Sequence, residues 1–502
     1  MSNESLITPT TTTTTTSCNK SFCEDYMILS PKDFGLWGCI KLLFSKNIGK
    51  RKFIDTPDGA TEDSFCRRFV IVVSIVAQKV LHLVEKPLSW VGSAIEFLPN
   101  FMDINGGFFK LLWNLVSGNL VLPDRESTEF LTAIGLWDIR RDLDSRIKQD
   151  DPRYTSALAI MAAKSAYENK AYITETVEKH WKMEFIEYLD CWNDYEEDYT
   201  TQGFMWSDKR RDSELIGVSF RGTSPFTAKD WSTDVDLSWY HLPNIGKVHA
   251  GFLKALGLQK SKGWPSDIQF DDQKPYAYYV IRKKLKERLQ ANPNAKFLVT
   301  GHSLGAALAI LFPAILAYHG ETELLSKLEG VYTFGQPRVG DKQFGEYMKE
   351  VLVTHGLRYH RFVYCNDLVP RVPFDTSDKY FKHFGHCHYY NSFYKGQVLD
   401  EEPNKNYFSI LALIPMFGNA VWELIRSFIM YYQNGPEYVE TATCRGWRVI
   451  GLLIAGLPAH GPQDYVNLTR LGSPENFMSL SVDQPTTIGV NGVVTNGGTK
   501  LD

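Results

Sequence analysis

The hydrophobic positions of this chain fall into two regimes that call for different structures. From about residue 150, apolar runs of strand length alternate with stretches whose apolar residues recur at helical spacing. Positions 215–220, 297–300, 331–334 and 358–364 read as buried strands, and 155–167, 276–290 and 306–318 as helices. Strands alternating with helices predict an α/β architecture around a mostly parallel sheet. Earlier, Arg67-Arg68 leads into the run 69–77, apolar except for Ser74, followed by Leu81, Leu83 and Val84. Further apolar pieces at 88–98 and 108–122 end at Pro99 and Pro123, and Pro87 is expected to break the first run.

A clean bilayer span needs about 20 apolar residues, and Lys79 interrupts the first run within that length. The basic flank and the proline-broken pieces fit a segment lying in an interface or a lipid monolayer better than a single span. Helices buried against the rest of the protein are the alternative reading. A second apolar stretch, 407–432, contains Pro415, Glu423 and Arg426, which argue against a spanning helix. It reads as a cap over an acyl site or a lipid-docking element, or equally as a buried helical insertion.

These patterns divide the chain into a partly disordered tail at 1–60, an apolar lipid-associating segment at 61–125, and an α/β domain at 126–480 with an apolar insertion at about 402–456. A disordered tail at 481–502 completes it. The threonine run at 10–16 and the Gly-, Asn- and Thr-rich end lack apolar area to bury. Composition adds little to this picture: 44% hydrophobic, 22% charged and a net charge of −4 over 502 residues give no electrostatic reason to expect a nucleic-acid partner. The eight cysteines are scattered, without CxxC pairs, and the N-terminal thirty residues lack a secretory apolar core. Reduced thiols and a cytosol-facing protein are therefore expected, which makes the glycosylation match Asn467-Leu468-Thr469 meaningless.

The candidate chemistry centres on Gly301-His302-Ser303-Leu304-Gly305. A bare GxSxG arises by chance in about one chain in five of this length. Here a strand runs directly into Gly301 and the small-residue helix 306–310 leaves Gly305. Gly301 and Gly305 let strand and helix approach around a strained serine at the sheet's C-terminal edge. A serine hydroxyl needs a histidine base and a carboxylate to orient that base, in the order Ser, Asp or Glu, His. Asp367 follows a strand in Asn366-Asp367-Leu368-Val369-Pro370 and fits the second place. Spacing alone leaves His383, His386, His388 and His460 for the third. The first three lie with Cys387 in an alternating strand whose side chains split between faces, which argues against zinc. His460 enters a loop after an apolar run.

The stretch from about 154 to 471 resembles the class 3 (fungal-type) triacylglycerol lipases. The pieces that carry the resemblance are Phe220-Arg221-Gly222-Thr223, Lys247-Val248-His249-Ala250-Gly251-Phe252, the serine motif, Thr333-Phe334-Gly335-Gln336-Pro337-Arg338-Val339-Gly340-Asp341 and the Asp367 loop. The resemblance implies an α/β-hydrolase fold, a catalytic set of Ser303, Asp367 and His460, and no cofactor or metal. It also implies an oxyanion hole from the backbone N–H of Leu304 and from Thr223. A lid follows at 224–231, in which Phe226 and Trp231 would cover the site; a fixed surface helix is the alternative. The apolar N-terminal segment, the insertion, and Phe381-Lys382-His383-Phe384-Gly385 with Leu457-Pro458-Ala459-His460 are similar to the plant oil-body lipases. That similarity implies hydrolysis of stored acylglycerols on the cytosolic face of a lipid-droplet monolayer or the endoplasmic reticulum membrane. A phospholipase A1 or galactolipase, or a droplet scaffold with a dead hydrolase domain, are the rival readings. Oligomeric state is not legible.

Overall fold

The computed structural model describes residues 23–33, 35–258, 274–373, 381–404 and 410–478. The threonine run, residues 405–409 of the insertion and the expected C-terminal tail lie outside them. Residues 23–60, assigned to a tail on composition, instead contain strands β1 (Tyr26–Leu29) and β2 (Ile54–Asp55) and helix α1 (Leu36–Phe44). The two strands join an antiparallel sheet with β6 (Trp239–Leu242) and β7 (Gly246–His249), in the order β2-β1-β6-β7. Strands of two to four residues carry too little periodicity to be read from sequence, and this sheet joins Tyr26 to Tyr240, far along the chain.

Helix α2 (Phe65–Ile104) is continuous for 40 residues, about 60 Å, through both Pro87 and Pro99. The expected break at Pro87 is absent because that residue is exposed, where water can satisfy the carbonyl that proline leaves unpaired. Ser64 caps the helix by accepting from Arg67 N–H. Val70, Ile71 and Ile75 pack with Leu42, Leu237, Trp239 and Phe381, so the start of the apolar run is core. Beyond it, Val80, Leu83, Trp90, Val91 and Leu98 are exposed, and α3 (Phe108–Ser117) buries no residue at all. No helix among the described residues is long and apolar enough to cross a membrane.

The main sheet has eight strands: β3 (Glu184–Asn193), β4 (Asp198–Asp208), β5 (Leu215–Phe220), β8 (Lys296–His302), β9 (Leu328–Phe334), β10 (Arg358–Tyr364), β11 (Cys387–Tyr390) and β12 (Gly396–Leu399). Their order is β12-β11-β10-β9-β8-β5-β4-β3, parallel from β11 to β5 and antiparallel at both edges. Helix α4 (Tyr154–Ser165) covers one face. Helices α6 (Ala277–Ala291), α7 (Leu304–Tyr318) and α8 (Lys342–His355) cover the other. Phe297 and Val299 point into the second layer and Leu298 into the first, which is why these strands read as unbroken apolar runs. The connection from β5 to β8 carries α5 (Ala228–Val235) before β6 and β7.

After β12 comes the insertion, α9 (Ile410–Asn434) and α10 (Ala442–Ile450), and then α11 (Pro462–Leu471). Helix α9 is two-faced. Met416, Glu423, Arg426 and Met430 are buried, while Leu411, Ile414, Phe428 and Tyr432 are exposed. Its charges are the reason it is anchored. Arg448 pairs with Glu423 (3.1 Å), Glu440 (2.6 Å) and Asp464 (2.8 Å), and Arg426 with Asp464 (2.9 Å), all inside the protein. The network ties α9 and α10 to the first turn of α11, just after His460.

Candidate active site

Strand β8 delivers His302 and Ser303 to the C-terminal edge of the sheet, and α7 starts at once with Leu304. Ser303 adopts φ 60° and ψ −132°, a conformation that costs a non-glycine residue about 1 kcal/mol or more. The turn closes because of its glycines. A Cβ on Gly301 would lie 2.2 Å from the Gly305 backbone, and one on Gly305 would lie 2.4 Å from the Phe220 carbonyl of β5. The Ser303 N–H is held by the Phe334 carbonyl at 3.0 Å. The hydroxyl is buried with no hydrogen-bond partner.

Asp367, after β10, is enclosed by donors. His460 Nδ1 lies 2.9 Å from both carboxylate oxygens, the Val369 N–H donates to Oδ1 at 2.9 Å, and the Tyr465 hydroxyl donates to Oδ2 at 2.5 Å. A carboxylate only accepts, so Nδ1 carries the proton and Nε2 presents its lone pair. Nε2 is likewise buried and unpartnered. Both atoms that a proton transfer would join are therefore buried without a hydrogen-bond partner. Burial, reinforced by the Asp367 charge, holds the Tyr465 phenol well above its usual range, so it remains a donor.

The imidazole of His460 also has a packed backing. His302 stacks on it with ring centroids 4.5 Å apart. His302 accepts from the Tyr167 hydroxyl at Nδ1 (2.8 Å) and donates from Nε2 to the His460 carbonyl (2.7 Å). Burial, with the neighbouring His460 second, pushes the His302 pKa well down, in keeping with the neutral tautomer these bonds require. On the other side, Gly335 has φ 60°, and a Cβ there would lie 2.8 Å from His460 Cε1 and 2.9 Å from Asp367 Oδ2.

Thr223 ends the loop after β5, beside the serine: a Cβ on the preceding Gly222 would meet Ser303 Cβ at 3.0 Å. Its hydroxyl donates to Asp234 Oδ2 at 2.9 Å. The Leu304 N–H opens α7 and has no carbonyl behind it within the helix, at the end where the helix dipole favours negative charge. Behind the loop lie three buried carboxylates. Desolvation raises Asp234 to about 7 and Asp230 above its usual range; Glu196 rises to about 7, chiefly by desolvation and then by the Asp230 charge. Asp230 accepts from the Ser224 N–H at 2.9 Å, which fixes the start of the next segment.

That segment, 224–231, is a turn entering α5. Trp231 lies edge-on to His460, ring centroids 6.4 Å apart, and its indole N–H donates to the Pro225 carbonyl at 3.0 Å. Phe226 is buried against Trp447 of α10 at 5.9 Å. Trp231 thus roofs the histidine, and Phe226 anchors the same segment to α10. Of the other candidates, His383 donates from Nε2 to the Pro370 carbonyl at 2.7 Å, His386 is exposed, and His388 packs on His360 and Phe362. The fold brings only His460 to Asp367. Tyr465, Tyr167 and the stacking role of His302 had no sequence signal, since each depends on partners more than 90 positions away.

The class 3 lipase family model matches residues 217–377, which include Ser303 and Asp367. The triacylglycerol lipase OBL1 of Nicotiana tabacum is 43% identical over 486 residues, covering 82% of this chain and 85% of that protein. The chain belongs to the class 3 lipase family. The Arabidopsis thaliana OBL1 triacylglycerol lipase is 40% identical, covering 92% of this chain and 98% of its own length. A lipase of Rhizomucor miehei is 34% identical over a third of the chain (33%). Membership makes the chain a serine ester hydrolase of the α/β-hydrolase fold. The family match ends at residue 377, and α9 and α10 lie between it and His460.

Proposed function

We propose that this class 3 lipase hydrolyses triacylglycerol at the surface of lipid droplets. Ser303 Oγ attacks the ester carbonyl while His460 Nε2 takes its proton, with Asp367 holding the imidazole. The oxyanion of the tetrahedral intermediate is received by the N–H groups of Leu304 and Thr223, each donor contributing about 3 kcal/mol to the transition state. Collapse expels the diacylglycerol oxygen, which takes the proton back from His460. Water, deprotonated by the same nitrogen, then cleaves the acyl-enzyme, releasing the fatty acid and restoring Ser303.

The observation that carries the droplet reading is exposed apolar surface: Leu83 and Trp90 on α2, Trp113 on α3, Leu411 and Phe428 on α9, and Leu453 after α10. Fully burying such side chains stabilises contact with oil by about 2 kcal/mol each, so six would contribute on the order of 10 kcal/mol. In this reading residues 61–125 and α9 dock and 126–480 catalyse. The names of the OBL1 relatives support a triacylglycerol substrate. The test compares fatty-acid release from triolein emulsion with that from phosphatidylcholine and galactolipid vesicles. Triolein should be hydrolysed at least tenfold faster; faster release from either vesicle would make the enzyme a phospholipase or galactolipase.

A further inference from the structure

A surface cavity of about 490 Å³ lies where α9 ends, a volume within the usual range for small-ligand sites. Pro436 and Glu437, just after α9, border it with Ile139, the loop 140–146 and Arg470 in the last turn of α11. No catalytic residue does. Four guanidiniums line its wall, and three of them are neutralised. Arg140 pairs with Asp138 (2.5 Å), Arg141 with Glu175 (3.3 Å), and Arg146 with Asp144 (2.8 Å) and Glu437. Arg470 differs: it donates to the Asp142 carbonyl (2.7 Å) and, among the described residues, pairs with no carboxylate. Burial, with the Arg140 charge second, pulls its pKa down to about 10. A half-buried cation held beside another cation is costly, and an anion bound in the cavity would offset that cost.

The neighbouring surface says which anion. At 100° per residue, Leu411, Ile414, Val421, Ile425, Phe428 and Tyr432 of α9 fall within about 100° of the helix circumference, and all are exposed. The stripe runs toward the cavity and ends on Tyr431 and Tyr432, both exposed, with exposed Ile139 on the cavity's rim. Tyrosine concentrates where apolar chains meet water, at the depth of lipid headgroups. The acidic groups at that depth are phosphates, which the planar guanidinium fork matches. Asp142, Asp144 and Glu437 also border the cavity. They would repel a doubly charged phosphomonoester. A phosphodiester carrying an amine instead sets its negative charge against Arg470 and its positive charge against the carboxylates.

We propose that this cavity binds the phosphate of a zwitterionic phospholipid headgroup, with Arg470 as its principal partner, and so anchors the end of α9 in the phospholipid monolayer that coats the oil. The apolar stripe then supplies adhesion and the cavity supplies selectivity for the coat. The proposal rests on the lipid-surface reading given above.

The test is flotation of the Ser303→Ala chain, which consumes no lipid, with triolein emulsions coated by phosphatidylcholine, phosphatidic acid or monogalactosyldiacylglycerol. The phosphatidylcholine coat should bind about tenfold tighter than the galactolipid coat, and the phosphatidic acid coat no tighter than phosphatidylcholine. Adding Arg470→Gln should abolish the preference for phosphatidylcholine over galactolipid while leaving galactolipid binding intact, and Arg470→Lys should keep part of it. With Ser303 present, Arg470→Gln should hydrolyse p-nitrophenyl butyrate at the unmodified rate. If Arg470→Gln fails to fold, as its melting curve reports, Arg146→Gln at the exposed rim decides by the same loss of preference. Equal binding to the two coats, or a preference that survives the substitution, would overturn the proposal and leave the lipid reading standing. A melting temperature raised by inorganic phosphate, with no preference between coats, would mark a site for soluble phosphate and overturn the headgroup assignment. Tightest binding to phosphatidic acid would overturn the zwitterionic one. A chain that floats with no coat would overturn the lipid reading as well.

Discussion

Replacing Gly335 with alanine perturbs the acid–base pair without substituting a catalytic residue. Gly335 ends β9 at φ 60°, and the new methyl would lie 2.8 Å from His460 Cε1 and 2.9 Å from both His460 Nδ1 and Asp367 Oδ2. Ordinary contact begins near 3.4 Å. The imidazole or the carboxylate must therefore give by about half an ångström, and the carboxylate is pinned by the Val369 N–H and the Tyr465 hydroxyl. Alanine in the left-handed region costs about 1 kcal/mol on its own. Since a misplacement of about 1 Å costs about 100-fold in rate, kcat should fall between about 10- and 100-fold. Gly356→Ala is the control, because it has φ 62° and nothing within 4 Å of its new Cβ. Both variants should lose the stability cost of the left-handed backbone, Gly335→Ala the more for its close contacts, and only Gly335→Ala should lose kcat on p-nitrophenyl butyrate. A Gly335→Ala enzyme within twofold of the Gly356→Ala control would refute the placement of the pair against this turn.

Tyr465→Phe removes the hydrogen bond to Asp367 Oδ2 and should cost about 1.5–3 kcal/mol of stability, with a several-fold fall in kcat and little change in KM; unchanged melting and kcat would show the bond to be incidental. Arg448→Met strands Glu423, Glu440 and Asp464 in the interior and should cost about 3–5 kcal/mol in denaturant unfolding; a loss below about 1 kcal/mol would mean the network does not anchor the insertion. Asp234 gives a pH signature. Its folded pKa is raised to about 7, so the folded state keeps a proton that the unfolded chain releases near pH 4; this stability is full below about 4 and is lost as pH rises to about 7. Asp234→Asn, facing Thr223, Asp230 and Glu196, loses no such proton. Its advantage over the unmodified chain should grow by on the order of 2 kcal/mol from pH 5 to pH 8. A difference independent of pH would contradict the raised pKa.

What was legible in the sequence was what is locally written. The central strands announce themselves because both faces are covered, and the serine turn because two glycines and a small-residue helix must flank it. Strand β3 did not, since Glu184, Glu187 and Asp190 interrupt any apolar rhythm at an edge of the sheet. The prolines in α2 looked like helix ends because sequence does not show that Pro87 faces water. Spacing alone left His460 among four candidates and only the family resemblance singled it out, because it lies 93 positions from Asp367, across two helices. Phe226 and Trp231 could be named, but the packing of Phe226 on Gly92 of α2 could not, because the two meet only in three dimensions.

The central claim is that Ser303 is the one serine activated by a buried His460–Asp367 pair. Treating the folded protein with a fluorophosphonate and locating the adduct by peptide mass spectrometry tests it directly. The account predicts a single adduct on Ser303, lost in Ser303→Ala together with turnover of p-nitrophenyl butyrate and strongly slowed in His460→Ala. An adduct on another residue, or hydrolysis that persists in Ser303→Ala, would contradict it.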